Sequence, residues 1–422
     1  MKKCFLFVLL FAYLVISSAS AWAGGLYLYE VSNLDVATAS AGWAARAQDA
    51  STILTNPAGM TRLTEPEMQV GAQALYLDIN FDSDSKTTAS GRSGDASDWL
   101  PAGGIYYVTA PVPELRLGFG IGGYFGLGLD YSDNWVGRYY ITEILLQGIT
   151  FMPAAAYKVN DWLSIGAGVN IMYAKFYQEV AINNVPDVIS DGKLEIKDDT
   201  VGLAANLGVL IEPSDRTRFG IHYMSESSLD FKDAPRFKNI GPVLKAALNA
   251  AGLIGSELKL GMTAPDSVMV SAYHELNNRW AIMGNVGWQQ WSEFGKVDVT
   301  VSSETTTSLT ADRNYDDTWH VAAGAQYRVS DPWLLSCGVA YDSSMVDDDD
   351  RTPDLPLGES WRFGLGSKYR WTEHLDLSIA YEFLWGGDLP VDVERGPLAG
   401  RVSGDYTDTY MNFINVALNW RF

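Results

Sequence analysis

Leu163-Ser164-Ile165-Gly166-Ala167-Gly168-Val169-Asn170-Ile171-Met172-Tyr173 puts apolar residues at every odd position and, Met172 apart, small or polar ones at every even position. Successive side chains of a strand point to opposite faces, so this stretch has one greasy face and one small or polar face. The phase recurs down the chain. Val201, Leu203, Ala205, Leu207, Val209 and Ile211 alternate with Gly202, Ala204, Asn206 and Gly208. Trp319, Val321, Ala323, Ala325, Tyr327 and Val329 oppose His320, Ala322, Gly324, Gln326 and Arg328. Leu375, Leu377, Ile379, Tyr381, Phe383 and Trp385 oppose Asp376, Ser378, Ala380 and Glu382 in the same way.

Short turns separate many of these runs: Val112-Pro113-Glu114, Asn160-Asp161, Pro213-Ser214-Asp215, Asn277-Asn278, Ser330-Asp331-Pro332 and Thr372-Glu373-His374. Between them lie long polar or Gly-rich connections at 82–98, 124–134, 183–192, 232–265, 303–316, 342–359 and 386–407. Tight turns on one side and elaborate loops on the other are the hairpin asymmetry of an outer-membrane barrel. The runs predict fourteen strands near 68–81, 101–110, 115–124, 145–159, 162–182, 194–212, 216–231, 266–276, 279–302, 317–329, 333–341, 360–371, 374–385 and 409–422. The fold class is therefore all-β, an antiparallel transmembrane barrel of fourteen strands.

A soluble sandwich or propeller also alternates. Three features favour the membrane. Residues 1–23 have Lys2 and Lys3, an apolar core from Phe5 to Ile16 and the ending Ala21-Trp22-Ala23, which is the order of a secretory signal peptide. Many of the 14 Trp and 22 Tyr stand at strand ends, among them Trp162, Trp280, Trp333 and Trp371, where amphipathic rings favour a membrane interface. The last strand ends on Phe422 in its outward phase, which resembles the C-terminal signal that the barrel assembly machinery reads.

Among the 422 residues, 51 Asp and Glu outweigh 30 Lys and Arg, a net charge of −21 that is a poor match for nucleic acid. Cys4 leaves with the signal peptide and Cys337 then has no partner, so no intrachain disulfide is expected. Beyond Ala23 no apolar run reaches the length of a spanning helix.

Residues 24–65 break the alternation. Gly24-Gly25-Leu26-Tyr27-Leu28-Tyr29-Glu30 is followed by an Ala-rich stretch and by Asn56-Pro57-Ala58-Gly59-Met60, where Asn56 is a good N-cap and Pro57 a good first helical residue. A mainly helical segment ahead of a wide barrel reads as a plug, since fourteen strands enclose more space than their own side chains fill. The domains are then 1–23 signal peptide, 24–65 hatch and 66–422 barrel.

Glu30, the Ala-Gly-Trp-Ala-Ala-Arg-Ala of 41–47, Asp49-Ala50-Ser51-Thr52 and above all Asn56-Pro57-Ala58-Gly59-Met60 resemble the N-terminal hatch of the FadL/TodX family, outer-membrane transporters of long-chain fatty acids and other hydrophobic compounds. The resemblance continues through Trp135-Val136-Gly137-Arg138-Tyr139, Asn160-Asp161-Trp162, the strand count and Phe422. It implies a hatch held at Asn56, Pro57, Ala58 and Gly59. It also implies a substrate pocket partly built by the chain's N-terminus, here Gly24, Leu26, Tyr27 and Leu28. Finally, it implies a kinked third strand that opens the wall sideways. The predicted third strand loses its phase at Gly122-Gly123. Adjacent glycines favour a bend there, and ordinary barrel curvature uses them too. The third long loop is shorter than the family pattern suggests. The fourth holds Val243, Leu244, Ala247, Leu248 and Ala251 at helical spacing, which reads equally as a greasy landing site or as loop packing.

No enzyme constellation is present. His222, His274, His320 and His374 are scattered without metal spacing, and Asp347-Asp348-Asp349-Asp350 lacks the spacing of a calcium loop and reads as a solvated surface near lipopolysaccharide. No cofactor, metal site or catalytic residue is expected. By parity Met172, Phe176, Val180, Leu210, Met224 and Leu384 point inward, which suits a greasy conduit better than a hydrophilic pore. Arg116, Arg138 and Arg328 are the candidates to hold an acidic head group, although inward arginines also line ordinary porins. The chain reads as an exported outer-membrane barrel, able to stand as a monomer because a closed sheet exposes no edge, passing long-chain fatty acids by passive, hatch-gated diffusion. The alternatives are aromatic hydrocarbons or alkanes, or a general porin or structural surface barrel.

Overall fold

The computed structural model describes residues 26–302 and 306–422. The signal peptide and Gly24 lie outside the described residues.

Fourteen strands form the wall, in chain order β1 (Glu67–Asp78), β2 (Asp98–Val112), β3 (Leu115–Asp130), β4 (Glu143–Lys158), β5 (Leu163–Ile182), β6 (Gly192–Ser214), β7 (Thr217–Met224), β8 (Ser267–Glu275), β9 (Trp280–Gln289), β10 (Thr318–Ser330), β11 (Trp333–Asp342), β12 (Ser360–Arg370), β13 (Leu375–Glu394) and β14 (Arg401–Arg421). Each pairs antiparallel with its neighbour, and β1 closes on β14 from Glu67↔Arg421 to Asp78↔Tyr410. Closure removes the free edges that would leave backbone groups unpaired in lipid.

The alternation read from the sequence is the in/out pattern of the wall. Ile165, Val169 and Ile171 are exposed on the outside of β5, while Ser164, Asn170 and Met172 are buried inside. Trp162, Trp280, Trp333, Trp371 and Trp420 mark the rim of short turns, and Trp99, Trp319 and Trp361 the opposite rim. Two aromatic belts around an apolar band are the outer surface of a membrane barrel. Among the described residues no helix is long and apolar enough to cross a membrane.

Several expected boundaries shift. The run 216–231 is two strands: β7 stops at Met224, and 227–233 joins a separate four-stranded sheet with 257–264, 296–302 and 306–312. The run 279–302 likewise breaks after Gln289 at a short helix, Trp291–Phe294. Period-two pattern persists through both breaks because the added sheet also buries one face, with Leu229, Phe231, Leu260, Met262, Val299 and Val301 in the core. This sheet belongs to the long-loop side. β3 continues to Asp130 rather than ending at 124, and β13 to Glu394 rather than 385, so the expected loops 124–134 and 386–407 are partly strand. In the fourth long loop the helix Pro242–Ala250 buries Leu248 and half-buries Leu244, whereas Val243 stays exposed.

Residues 26–66 run inside the barrel, with α1 (Asn33–Thr38), α2 (Thr52–Thr55) and a 3-10 turn (Pro57–Arg62) joined by irregular chain. α1 lies against β11 to β14 and the 3-10 turn against β4 to β6. Irregular backbone at membrane depth is tolerated only where the protein satisfies its polar groups, and the inward polar residues of the wall do this. Arg218 Nε donates to Ala45 O (2.7 Å), and Gly42 N donates to Asn285 Oδ1 (2.7 Å). Ala44 N donates to Ser271 Oγ (3.0 Å); in the reverse sense, the hatch side chain Asn33 donates through Nδ2 to Asn415 O of the wall (3.1 Å). Wall glycines permit the close approach: a Cβ at Gly220 would stand 1.9 Å from Ala44 O, and one at Gly338 1.8 Å from Thr38 O.

Val169, mid-strand on the outer face, tests the membrane reading of this surface. Val169→Arg should destabilise the barrel by about 2–4 kcal/mol in a bilayer, the cost of a cation near the midplane. Urea unfolding from lipid vesicles measures it.

Candidate functional site

The site is built where the wall opens. β2 and β3 pair from Val112↔Leu115 to Gly104↔Gly122 and no further. Above that point residues 98–103 of β2 pair with β1 only, while β3 pairs with β4 through a register shift between Gly122 and Phe125. Gly122 and Gly123 thus stand where the two strands part. The gap is a cavity of about 300 Å³ with Leu75, Leu100, Pro101, Ile121, Gly123 and Leu127 in its lining.

The parted edge of β3 is covered from inside by the chain's own N-terminal segment. Leu28 N donates to Tyr124 O (2.7 Å) and Gly126 N to Leu26 O (3.1 Å), so residues 26–28 add a short antiparallel bridge, Tyr27↔Phe125. Tyr27 sits among Tyr124, Phe125 and Trp291, ring centroids 5.4–5.5 Å away, and its hydroxyl donates to Pro265 O (3.1 Å).

Deeper in the lumen, between hatch and wall, lies a second cavity of about 40 Å³. Its apolar walls are Tyr27, Tyr29 and Trp43 of the hatch with Tyr124, Met224 and Trp288 of the barrel; its polar ones are Asn170, Asn206, His222 and Gln289. Asn206 Oδ1 is 2.8 Å from His222 Nε2. Leu28 lines both this cavity and the gap. At roughly 10–15 Å³ per water the resting space holds only a few waters, so an organic ligand must displace part of the lining. The lining with the least regular backbone is the segment 26–31.

Among the described residues no Lys or Arg lines this cavity. Arg116 is buried near the tight turn, where Nε donates to Leu63 O (2.7 Å) and Nη1 to Val112 O, Pro113 O and Leu115 O (3.0–3.1 Å). Arg138 lies among the long loops, donating through Nε to Asp191 Oδ2 (2.8 Å) and through Nη1 to Ser90 O. Arg328 is exposed close to the tight turn that follows β10. The three candidate head-group cations are therefore spent on local structure or stand away from the pocket.

Met172, Phe176, Leu210, Met224 and Leu384 are all inward and buried, and of these Met224 lines the pocket. Leu210 packs on Ala47 and Ala58 of the hatch, and Phe176 on Phe231 of the added sheet (5.4 Å). The Asn-Pro-Ala-Gly segment lies below the cavity. Asn56 Oδ1 accepts from Ala58 N (3.0 Å) as the N-cap of the 3-10 turn, while Nδ2 donates to Ala44 O (2.7 Å) and to Val209 O of β6 (3.0 Å). Pro57 sits at the first position of that turn. A Cβ at Gly59 would clash with Thr52 Oγ1 at 2.2 Å. Asn170, Asn206 and Gln289 were not singled out by sequence reading. Their inward parity was visible, but their convergence depends on strand register and on the hatch that roofs them.

The sequence profile of the family described as Outer membrane protein transport protein (OMPP1/FadL/TodX) matches residues 14–422. The chain is 26% identical over 413 residues to the Long-chain fatty acid transport protein of Escherichia coli O6:H1, covering 90% of this chain and 91% of that one. A Pseudomonas aeruginosa FadL homologue superposes with a TM-score of 0.82 at 22% identity, over 94% of this chain and 100% of the other. The P. putida toluene transporter TodX gives 0.71 at 15% identity, over 94% and 99%.

Asn56 makes the sharpest test of how the hatch is held. Asn56→Asp keeps the capping acceptor and turns both donations into oxygen–oxygen contacts, each worth about 1–3 kcal/mol when lost in a buried site. Hydrogen exchange of residues 44–62 should quicken by 10-fold or more, with the strand amides unchanged.

Proposed function

The chain belongs to the outer membrane protein transport protein family (OMPP1/FadL/TodX), and from that premise we propose that it passes hydrophobic molecules through a pocket between hatch and wall and releases them sideways between β2 and β3. It is a barrel of the bacterial outer membrane and not an enzyme.

The observation that carries this reading is the meeting of two apolar cavities at Leu28, one under the hatch and one in the wall. A ligand that displaces residues 26–28 takes the place of Leu28 and breaks the bridge to Phe125, and the same movement uncovers the parted edge of β3. Binding and opening are then one event, driven by the substrate gradient. The chain carries no Gly-rich nucleotide loop to supply another source.

Long-chain fatty acids are the first substrates to try, given the relative in Escherichia coli. A second reading, uncharged aromatic compounds, is favoured by one observation, the absence of Lys and Arg from the pocket lining among the described residues. A carboxylate buried there would lack a countercharge, which is costly enough that the ligand would enter in its neutral form.

Uptake of labelled oleate and of labelled toluene by cells lacking their own hydrophobic transporter tests both substrates. Restored uptake of either supports transport, and the preferred compound decides the class; uptake of neither from a folded surface barrel overturns the reading. Gly123 tests the exit, because its nearest neighbour, Gly148 O at 3.4 Å, leaves room for a side chain. Gly123→Phe should cut uptake by about 10-fold or more by filling the gap. Full uptake would place the exit elsewhere.

A further inference from the structure

The pocket segment ends at Glu30, and Glu30 is tied to the wall by charge. Its carboxylate, wholly buried, pairs with the guanidinium of Arg362 on β12. Arg362 Nε donates to Asp342 Oδ2 of β11 (2.6 Å), and Asp342 Oδ1 lies 2.7 Å from His320 Nδ1 of β10. Glu382 of β13 brings Oε1 to 3.6 Å from Arg362 Nη1 and meets the carboxyl of Glu30 as well. All five side chains are at most 1% exposed. Three carboxylates thus surround one guanidinium, and one of them, Asp342, also meets an imidazole.

Tyr29 joins this cluster to the pocket. It lines the cavity, its ring lies 4.1 Å from that of His320, and the Arg362 guanidinium carbon stands 5.6 Å from its centroid. The segment 26–30 is therefore held at two ends, by strand addition to β3 and by Glu30 at β12.

We propose that Arg362 is a positioning residue: by holding Glu30 it sets the resting place of residues 26–29 and so the shape of the pocket. The inference rests on reading that segment as the movable wall of the transport pocket. Breaking a buried pair leaves an uncompensated charge, so the tie resists loosening. The surrounding acids distinguish this from ordinary packing. With Glu30 neutralised, Arg362 keeps Asp342 and Glu382, so the wall stays balanced while the hatch loses its tie. With Glu382 neutralised, a surplus carboxylate goes and the Glu30–Arg362 pair is kept.

Hydrogen exchange of the full chain in lipid nanodiscs reads this directly at the Leu28 amide, which donates to Tyr124 O. Glu30→Gln, an isosteric change, should quicken exchange of residues 26–30 by about 10-fold or more, with β12 and β13 unchanged. Glu382→Gln should exchange no faster than the unaltered chain. Unchanged exchange in Glu30→Gln, equal acceleration in both variants, or acceleration spread over β12 would each overturn the proposal. Oleate and toluene uptake measured beside it separates the two readings. Faster exchange from a chain that transports neither compound leaves the tie standing and removes the transport reading.

Discussion

Within a bilayer every backbone N–H and C=O must find its partner inside the protein, and each part of this molecule is a way of meeting that demand. The wall meets it by closing β1 on β14. The hatch, whose chain is too irregular to satisfy itself, meets it by borrowing side chains: Arg218, Ser271 and Asn285 all face inward and all bond hatch backbone. Where β2 and β3 part, the demand falls on Leu26 and Leu28, which bond the uncovered edge of β3.

That accounting explains why the lumen is neither a pore nor a plain hydrophobic core. Small residues on both sides, Ala44 against Gly220 and Thr38 against Gly338, bring two backbones into contact, so bulky side chains are excluded there. Apolar bulk is displaced to the long-loop end, where Phe176, Phe231 and the added sheet form a lid. What remains open is a narrow chamber under the N-terminal segment and a gap beside it.

The same economy of partners gives the site its chemical character. Cations inside or near the lumen are committed: Arg218 to the hatch backbone, Arg116 to the tight turn, Arg362 to a ring of carboxylates. The chamber is left with aromatic rings and neutral amides, among which a buried carboxylate would lack a countercharge. In the transport route proposed above, the small resting volume couples entry to displacement of the segment 26–30, so that the contacts holding that segment weigh on affinity along with the contacts to the ligand.

Much of the fold was legible from alternation, because outward and inward faces of a membrane wall differ so sharply that even single strands report their phase. The strand number, the closing Phe422 and the tight turns all followed. Misplaced boundaries, at 224 to 227 and at 290, arose because a second sheet buries one face as the wall does, and period two cannot say which sheet a strand joins. Asn56 and Pro57 were readable because capping is local. The head-group arginines were not: parity tells which way Arg116 points but not that Leu63 O waits there. The linear order of residues was enough to decide the architecture, the compartment and the presence of a hatch, since these follow from local periodicity and composition. The pocket, the parting of β2 from β3 and the union of Glu30 with Arg362 were decided only by the tertiary structure, because each joins groups far apart in the chain whose meeting depends on register and closure.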